Sequence, residues 1–395
     1  MDFQYDFFSL NIICLSVTAL CVAYIILRLV VKCKKVTRRT DSDEESLSAA
    51  TNCSIPVSII VYAPTYCHEL RELIHTCFSQ DYAGQFEVIV VNAEKDPDTE
   101  DLISELQLKY PNLYLTFSPS KPKNLSPKKL ALTIGIKAAK FEYVVFTQGN
   151  ATIRSNKWLS AMARHFVEGA DMTIGLATIN DNETPHLTAM QKFDFSMESL
   201  RWLSSALSGK VVRADGYNLA YKKSLFFRNK GFSRHLDIMF GDDDIFVSEL
   251  SKKAKAAVEL SAQSVVSIDA AAPRKFYRRL EMVRRFNAGF IQSASYFGMM
   301  SLSIAAWMAV AMGTLGIVFC QDRLYIPIAI GVLLISLLVV PIFSTRSYLS
   351  IVGIRKPFYV FLPLLLFWPF HRLKVAARVR RNKETFQAWG VFRPF

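Results

Sequence analysis

The chain has 395 residues, 51% of them hydrophobic, with 47 Lys and Arg against 34 Asp and Glu for a net charge of +13. That length and a mean hydropathy of +0.21 give room for one substantial soluble domain plus a few membrane segments, and exclude a polytopic transporter. The basic residues crowd beside apolar runs, as the cytoplasmic flanks of membrane segments do, which argues against nucleic acid as a partner. The 7 cysteines form no Cys-x-x-Cys pair, so neither a zinc site nor a disulfide framework is indicated, and a reducing compartment fits.

In chain order, Phe7 to Val31 is almost unbroken apolar sequence, enough to cross a hydrocarbon core of about 30 Å. Asp2 and Asp6 precede it and Arg28, Lys32, Lys34, Lys35, Arg38 and Arg39 close it, so the positive-inside rule puts the N-terminus outside and the next domain in the cytoplasm. Residues 1–39 thus read as a transmembrane anchor with a basic flank, and the polar stretch 40–54 as a linker. A domain over residues 55–272 comes next. Val57 to Tyr62, Phe86 to Val91, Leu113 to Phe117, Tyr143 to Thr147 and Met172 to Ala177 are predicted strands. Leu70 to Phe78, Asp98 to Tyr110 and Lys128 to Ala139 are predicted helices between them, the last launched by Ser126 as N-cap and Pro127 at the first helical position. This alternation predicts an α/β fold with a mostly parallel sheet, whose ligands collect at the C-terminal strand ends, near Asn92 and Thr147 to Ala151.

Thr188 to Leu207 is a long predicted helix, and Asp215 to Tyr221 a glycine-led turn into a short strand, with a helix after it over Lys222 to Asn229. Residues 273–298 interleave five arginines with apolar side chains, as a helix does at a membrane surface or as a basic face packed on the domain. Met299 to Cys320 and Leu324 to Phe343 form a predicted transmembrane hairpin over 299–343. The basic tail, 344–395, returns to the cytoplasm with an interfacial or re-entrant segment at Phe358 to Phe370.

The chemistry is expected at Gly241-Asp242-Asp243-Asp244, three successive carboxylates behind a glycine that open an apolar helical stretch. On a helix such neighbours lie about 100° apart around the axis, so one or two can face a cleft while the third caps the backbone. An acidic first turn that only complements the helix dipole is the alternative. There is no Gly-x-Ser-x-Gly elbow, His-Glu-x-x-His, Walker A loop or Gly-x-Gly-x-x-Gly.

Together, the runs Val57 to Ala63, Gln80-Asp81-Tyr82, Phe86 to Asn92, Lys128 to Leu132, Gly216 to Tyr221 and the acidic triplet resemble the family 2 glycosyltransferases in their membrane-anchored bacterial form. The resemblance implies a GT-A fold with one N-terminal and two C-terminal transmembrane helices, in the bacterial cytoplasmic membrane. It also implies inverting transfer from a nucleotide-sugar donor to a glycan or lipid-linked acceptor in envelope polysaccharide synthesis, with membrane lipids as further partners. Asp243, flanked by Asp242, matches the family's general base. Lys128, Gly216 and Asn218 match donor and acceptor contacts, Asn92 is the candidate contact where the family has a uracil-contacting acid, and Arg278 and Arg279 lie in the arginine-rich run that stands for a third family motif.

The family's Asp-x-Asp, which holds Mg2+ or Mn2+ on the donor diphosphate, is replaced by Gln148-Gly149-Asn150. Neutral amides offset little of the diphosphate charge, and these hard cations are usually held through at least one carboxylate. Two expectations arise from this. Either basic side chains (Lys128, Arg278, Arg279 or Arg284) replace the metal, or the protein is a catalytically inactive partner subunit in a membrane polysaccharide complex.

Overall fold

The structure is a computed structural model that describes residues 2–49, 53–118, 125–179, 187–238, 240–268, 325–352 and 358–381, with isolated positions between 278 and 311. Its centre is a seven-stranded sheet in the order β3-β2-β1-β4-β8-β6-β9. β1 (Val57–Ala63), β2 (Phe86–Asn92), β3 (Leu113–Phe117) and β4 (Tyr143–Gln148) are parallel. β8 (Leu219–Lys222) runs antiparallel to β4 and to β6 (Met172–Ile174), and β9 (Ala256–Val258) lies parallel to β6 at the edge. β5 (Ala151–Ile153), β7 (Ala177–Ile179) and β10 (Val266–Ile268) make a small second sheet.

Why the strands read as continuous apolar runs is plain from burial. Ile59, Val61, Val88 and Val90 face one core, while Ile60, Ile89 and Val91 face the other, and all are buried. α2 (Glu69–Phe78), α3 (Pro97–Gln107) and α5 (Trp158–Val167) supply apolar side chains to the first core. α4 (Pro127–Ala138) and α6 (Ala189–Ala206) supply them to the second. Gln80, prominent in the sequence, is a fastener: its amide reaches the Ser155 carbonyl and accepts from the Leu159 N–H, tying the end of α2 to the start of α5.

The run expected as one strand, Met172 to Ala177, is broken into β6 and β7. The cause is Asn218, whose amide donates to the carbonyls of Leu176 (3.0 Å) and Ser264 (2.7 Å) and accepts from the Trp158 indole (3.0 Å). A side chain at residue 175 would place its Cβ 2.3 Å from the Asn218 Nδ2, so glycine alone fits there. The chain turns at that point from the large sheet into the small one.

The expected linker over 40–54 is corrected for residues 40–49. α1 (Asp2–Ala49) does not end with its apolar run but continues through the basic flank, and Val36, Asp43 and Leu47 are buried. Asp43 accepts from Arg164 (2.6 Å) and from the Leu260 N–H (3.0 Å), while Arg39 donates to the Val258 carbonyl (3.0 Å). A polar segment that loops away by composition is held by polar partners on the domain.

α9 (Tyr325–Ile351) runs against α1, and α10 (Phe358–Arg381) packs on α6. Tyr348 donates to the Ser196 carbonyl (2.6 Å), Trp368 to Asp194 (2.6 Å), and Arg372 pairs with the same Asp194 (2.6 Å). The segment at Phe358 to Phe370, expected to lie at or re-enter an interface, belongs to this continuous helix. Among the described residues no helix is long and apolar enough to cross a membrane, so the expected spans find no support there. Most of 273–298 and 299–324 lies outside the described residues.

Candidate active site

The strand order reverses between β1 and β4, with β2 and β3 on one side and β8 on the other, and a cleft is expected at the C-terminal ends of that pair. Tyr62 on β1 is registered with Gln148 on β4, and the Gly149 N–H donates to the Tyr62 carbonyl (2.9 Å). α4 brings Lys128 to the same place. Ser126 caps the helix by accepting from the Lys129 N–H, and Pro127 fixes the first turn, so Lys128 leaves the second helical position with its ammonium 5.8 Å from the centre of the Tyr62 ring.

The acidic triplet meets this corner from the other side. Gly241, at φ +111°, adopts a backbone that side-chain-bearing residues avoid, and its carbonyl accepts from the Phe246 N–H (3.0 Å). The three acids therefore lie in the turn before α8 (Ile245–Ser251) rather than on the helix, which corrects the 100° spacing expected of them. Their roles separate all the same. Asp244 is buried and caps α8, accepting from the Ile245 N–H (2.6 Å). Asp242 is buried and pairs with Lys128 at 2.7 Å. Asp243 is half-buried, faces Gly216 with its Oδ2 3.3 Å from the Gly216 N–H, and has its own carbonyl bound by the Ala214 N–H (2.7 Å).

Gly216 keeps the corner open. A Cβ there would lie 3.2 Å from the Asp242 carboxylate and 3.4 Å from the Lys128 ammonium, pressing on the ion pair. The two adjacent lysines diverge. Burial lowers the proton affinity of Lys128, but Asp242 and Asp243 override it and hold the ammonium above the ordinary lysine range. Burial dominates at Lys129, pushed down to about 8; its ammonium donates to the His235 carbonyl (2.6 Å) and faces His235 Nδ1 (3.1 Å). Burial and Lys129 depress His235 in turn, which keeps its imidazole neutral as acceptor. Burial and the neighbouring Asp243 push Asp244 up to about 6.

Of the residues expected in the site, Asp242, Asp243, Lys128 and Gly216 come together, with Gln148 one strand away from Tyr62. Asn92 does not join them: it is fully buried, and its amide donates to the Asp96 carbonyl and accepts from the Asp96 N–H, shaping the loop after β2. Asn218 belongs to the structural knot between the two sheets, so its expected pocket role is corrected too. Arg278 is exposed, and Arg279 lies outside the described residues. Tyr62 and Glu94 are site neighbours that the motifs alone do not single out. Burial raises the Tyr62 phenol against the pull of Lys128, and Asp242 and Glu94 add to the rise, so Glu94 lies within electrostatic reach of this corner. The rule that ligands gather at strand ends could have found both.

The Gln148 to Asn150 segment does not fit a divalent cation. Its two side chains are half-buried neutral amides, and Gly149 backs onto Ala63 and Cys67. Among the described residues the His and carboxylate groups close enough to share an ion are Asp43 with His165 and Glu259, and Asp194 with Glu281 and His371. Neither contains a cleft residue, and each is threaded by an arginine, Arg164 or Arg372.

The family model described as Glycosyl transferase family 2 matches residues 58–232. Solved structures of similar outline include the mannosyltransferase PcManGT from Pyrobaculum calidifontis in complex with GDP-Man and Mn2+, at 15% identity and a TM-score of 0.44, covering 92% of this chain and 96% of that one. TarS from S. aureus is similar at 16% identity and a TM-score of 0.38, covering 84% of this chain and 55% of that one. Its 1-349 fragment gives 17% and 0.39, with 87% and 94% covered. No curated protein matches the sequence. From the second residue of β1 to the turn after α7 (Lys223–Arg228), the residues that match the Glycosyl transferase family 2 model lie on an α/β fold with a mostly parallel central sheet.

Proposed function

We propose that the protein is an inverting glycosyltransferase that moves a sugar from a nucleotide-sugar donor to a glycan or lipid-linked acceptor, with Asp243 as general base. The acceptor hydroxyl oxygen attacks the anomeric carbon, the bond from that carbon to the diphosphate oxygen breaks, the nucleoside diphosphate leaves, and the hydroxyl proton passes to Asp243. One observation carries this reading: of three adjacent acids, Asp242 is neutralised by Lys128, Asp244 caps a helix, and Asp243 alone is half-buried beside the bare Gly216. A base needs a carboxylate that a hydroxyl can reach, and such a group typically contributes about 10²- to 10⁴-fold in rate.

Work at a membrane surface is part of the proposal. Leu20, Tyr24, Leu27 and Val31 on α1, and Ile328, Val332, Ile335, Val339 and Phe343 on α9, are exposed at helical spacing. Apolar stripes of that extent call for a covering, and lipid of the bacterial cytoplasmic membrane, beside the basic flank of α1, is the covering proposed.

The test is turnover of radiolabelled nucleotide sugars by the detergent-purified chain and by Asp243→Asn. Loss of turnover with donor binding intact supports the base. Full turnover by the variant overturns it. Absence of any nucleotide-sugar binding favours a catalytically inactive partner subunit of a polysaccharide assembly instead.

A further inference from the structure

The Gln148 to Asn150 segment offers no carboxylate to a divalent cation, yet a protonated amine stands beside the same strand tip. Lys128 and the Gln148 segment share one neighbour, Tyr62. Its ring lies under the ammonium at 5.8 Å, its backbone is registered with Gln148, and its carbonyl takes the Gly149 N–H. Lys128 is not an ordinary surface lysine, because only 18% of its side chain is exposed. It leaves the first turn of a twelve-residue helix, whose dipole adds positive potential there. Its neighbour Lys129 has its ammonium held by His235 and does not share this position.

We propose that Lys128 takes the part of the missing metal: its ammonium binds the diphosphate oxygens of the donor and stabilises the leaving group, so that donor binding is independent of divalent cations. This rests on the glycosyltransferase reading of the cleft. As the bond between the anomeric carbon and the diphosphate oxygen breaks, its electron pair stays on that oxygen. Lys128 keeps its proton and donates a hydrogen bond to the growing charge. Asp242, 2.7 Å away on the other side, holds the ammonium in place while the cleft is empty and shares it when a diphosphate enters. A hydrogen bond between charged partners is worth about 10- to 100-fold in affinity, and an ammonium fixed in a half-closed corner pre-organises it.

Isothermal titration of the full chain in detergent tests the proposal, with UDP, GDP, CDP and dTDP as probes and the matching nucleosides as controls, in EDTA and in Mn2+. One nucleoside diphosphate is expected to bind in EDTA, with Mn2+ changing its affinity less than about threefold. Lys128→Gln is expected to weaken that diphosphate at least about tenfold while leaving the nucleoside unchanged, which also reports an intact fold; Lys128→Arg restores most of the loss. Binding that EDTA abolishes and Mn2+ restores overturns the proposal but leaves the glycosyltransferase reading standing, as does undiminished diphosphate binding by Lys128→Gln. If no nucleoside diphosphate binds with or without Mn2+, the glycosyltransferase reading falls and this inference with it.

Discussion

Lys128 and Asp242 face each other at 2.7 Å, both largely buried, one from the first turn of α4 and the other from the turn before α8. The pair therefore joins the start of α4 to the acidic turn, and removing one partner strands the other. Asp242→Asn is expected to cost about 3 kcal/mol or more at pH 7, because a buried ammonium is left without its carboxylate. With the pair intact, Lys128 is held above the ordinary lysine value, so its contribution to stability is full below about 10.5 and fades only as pH rises beyond that. Without Asp242 the buried amine gives up its proton more readily, and the deficit shrinks as pH climbs toward 10. Asp243→Asn, at a half-buried carboxylate, is expected to cost under about 1 kcal/mol. Urea unfolding at pH 7 and pH 9.5 separates the two; equal losses would show that the triplet does not divide its roles in this way.

Asp244 carries the opposite sign. Its folded value is pushed up to about 6 from 3.8 in the unfolded chain, so its stabilising contribution is complete below about pH 4 and is lost as pH rises through 6. Asn accepts the same Ile245 N–H without ever ionising. Asp244→Asn is therefore expected to match the wild type in thermal midpoint near pH 4 and to exceed it by several degrees at pH 7.5. A variant that is less stable at pH 7.5 would mean that the ionised carboxylate is the favoured cap.

How much of this could be read from the residues depends on the distance over which each is held. The parallel strands and their helices were legible because both sheet faces are buried and the caps at Ser126 and Thr188 are local. The acidic triplet and Lys128 were legible as candidates. Their pairing was not, since 114 positions separate Lys128 from Asp242 and nothing local joins them. Asn92 and Asn218 misled for one reason: an amide at a strand end looks the same in sequence whether it meets a ligand or a buried carbonyl. Residues 40–49 misled because their polar composition fits a linker, while Arg164 and Leu260, far along the chain, give Asp43 a buried berth.

The Gly175 and Asn218 relationship gives a double-mutant test. Gly175→Ala alone drives a methyl into the Asn218 amide and is expected to cost about 2–3 kcal/mol. Asn218→Ala alone takes away the partner of the Trp158 indole N–H and of the Ser264 carbonyl, while the Leu176 carbonyl keeps the Val266 N–H, at about 2–3 kcal/mol or more. In the double variant the clash is gone, so the combined loss is expected to fall short of the sum by at least about 1 kcal/mol. Strict additivity in chemical denaturation would show that Gly175 is required for some other reason.

Arg164 binds α1 to the domain. Its guanidinium reaches Asp43 at 2.6 Å and Glu259 at 2.7 Å, and His165 holds the same Glu259 oxygen at 2.9 Å. Arg164→Met leaves two buried carboxylates facing each other, with His165 and Arg39 to balance them among the described residues, and is expected to cost about 3–5 kcal/mol at pH 7. Burial already raises Asp43, with Glu259 adding to it, so without the arginine Asp43 takes up a proton first and the pairing with Arg39 that steadies α1 is lost. Trypsin should then cut at Lys34, Lys35, Arg38 or Arg39 sooner than in the wild type, while the α/β domain itself resists. Adding Asp43→Asn removes one of the two charges and should recover part of the stability. If cleavage there is unchanged in Arg164→Met, α1 is held by its apolar contacts at Cys33, Val36 and Leu47, and the buried ion network is incidental to its docking.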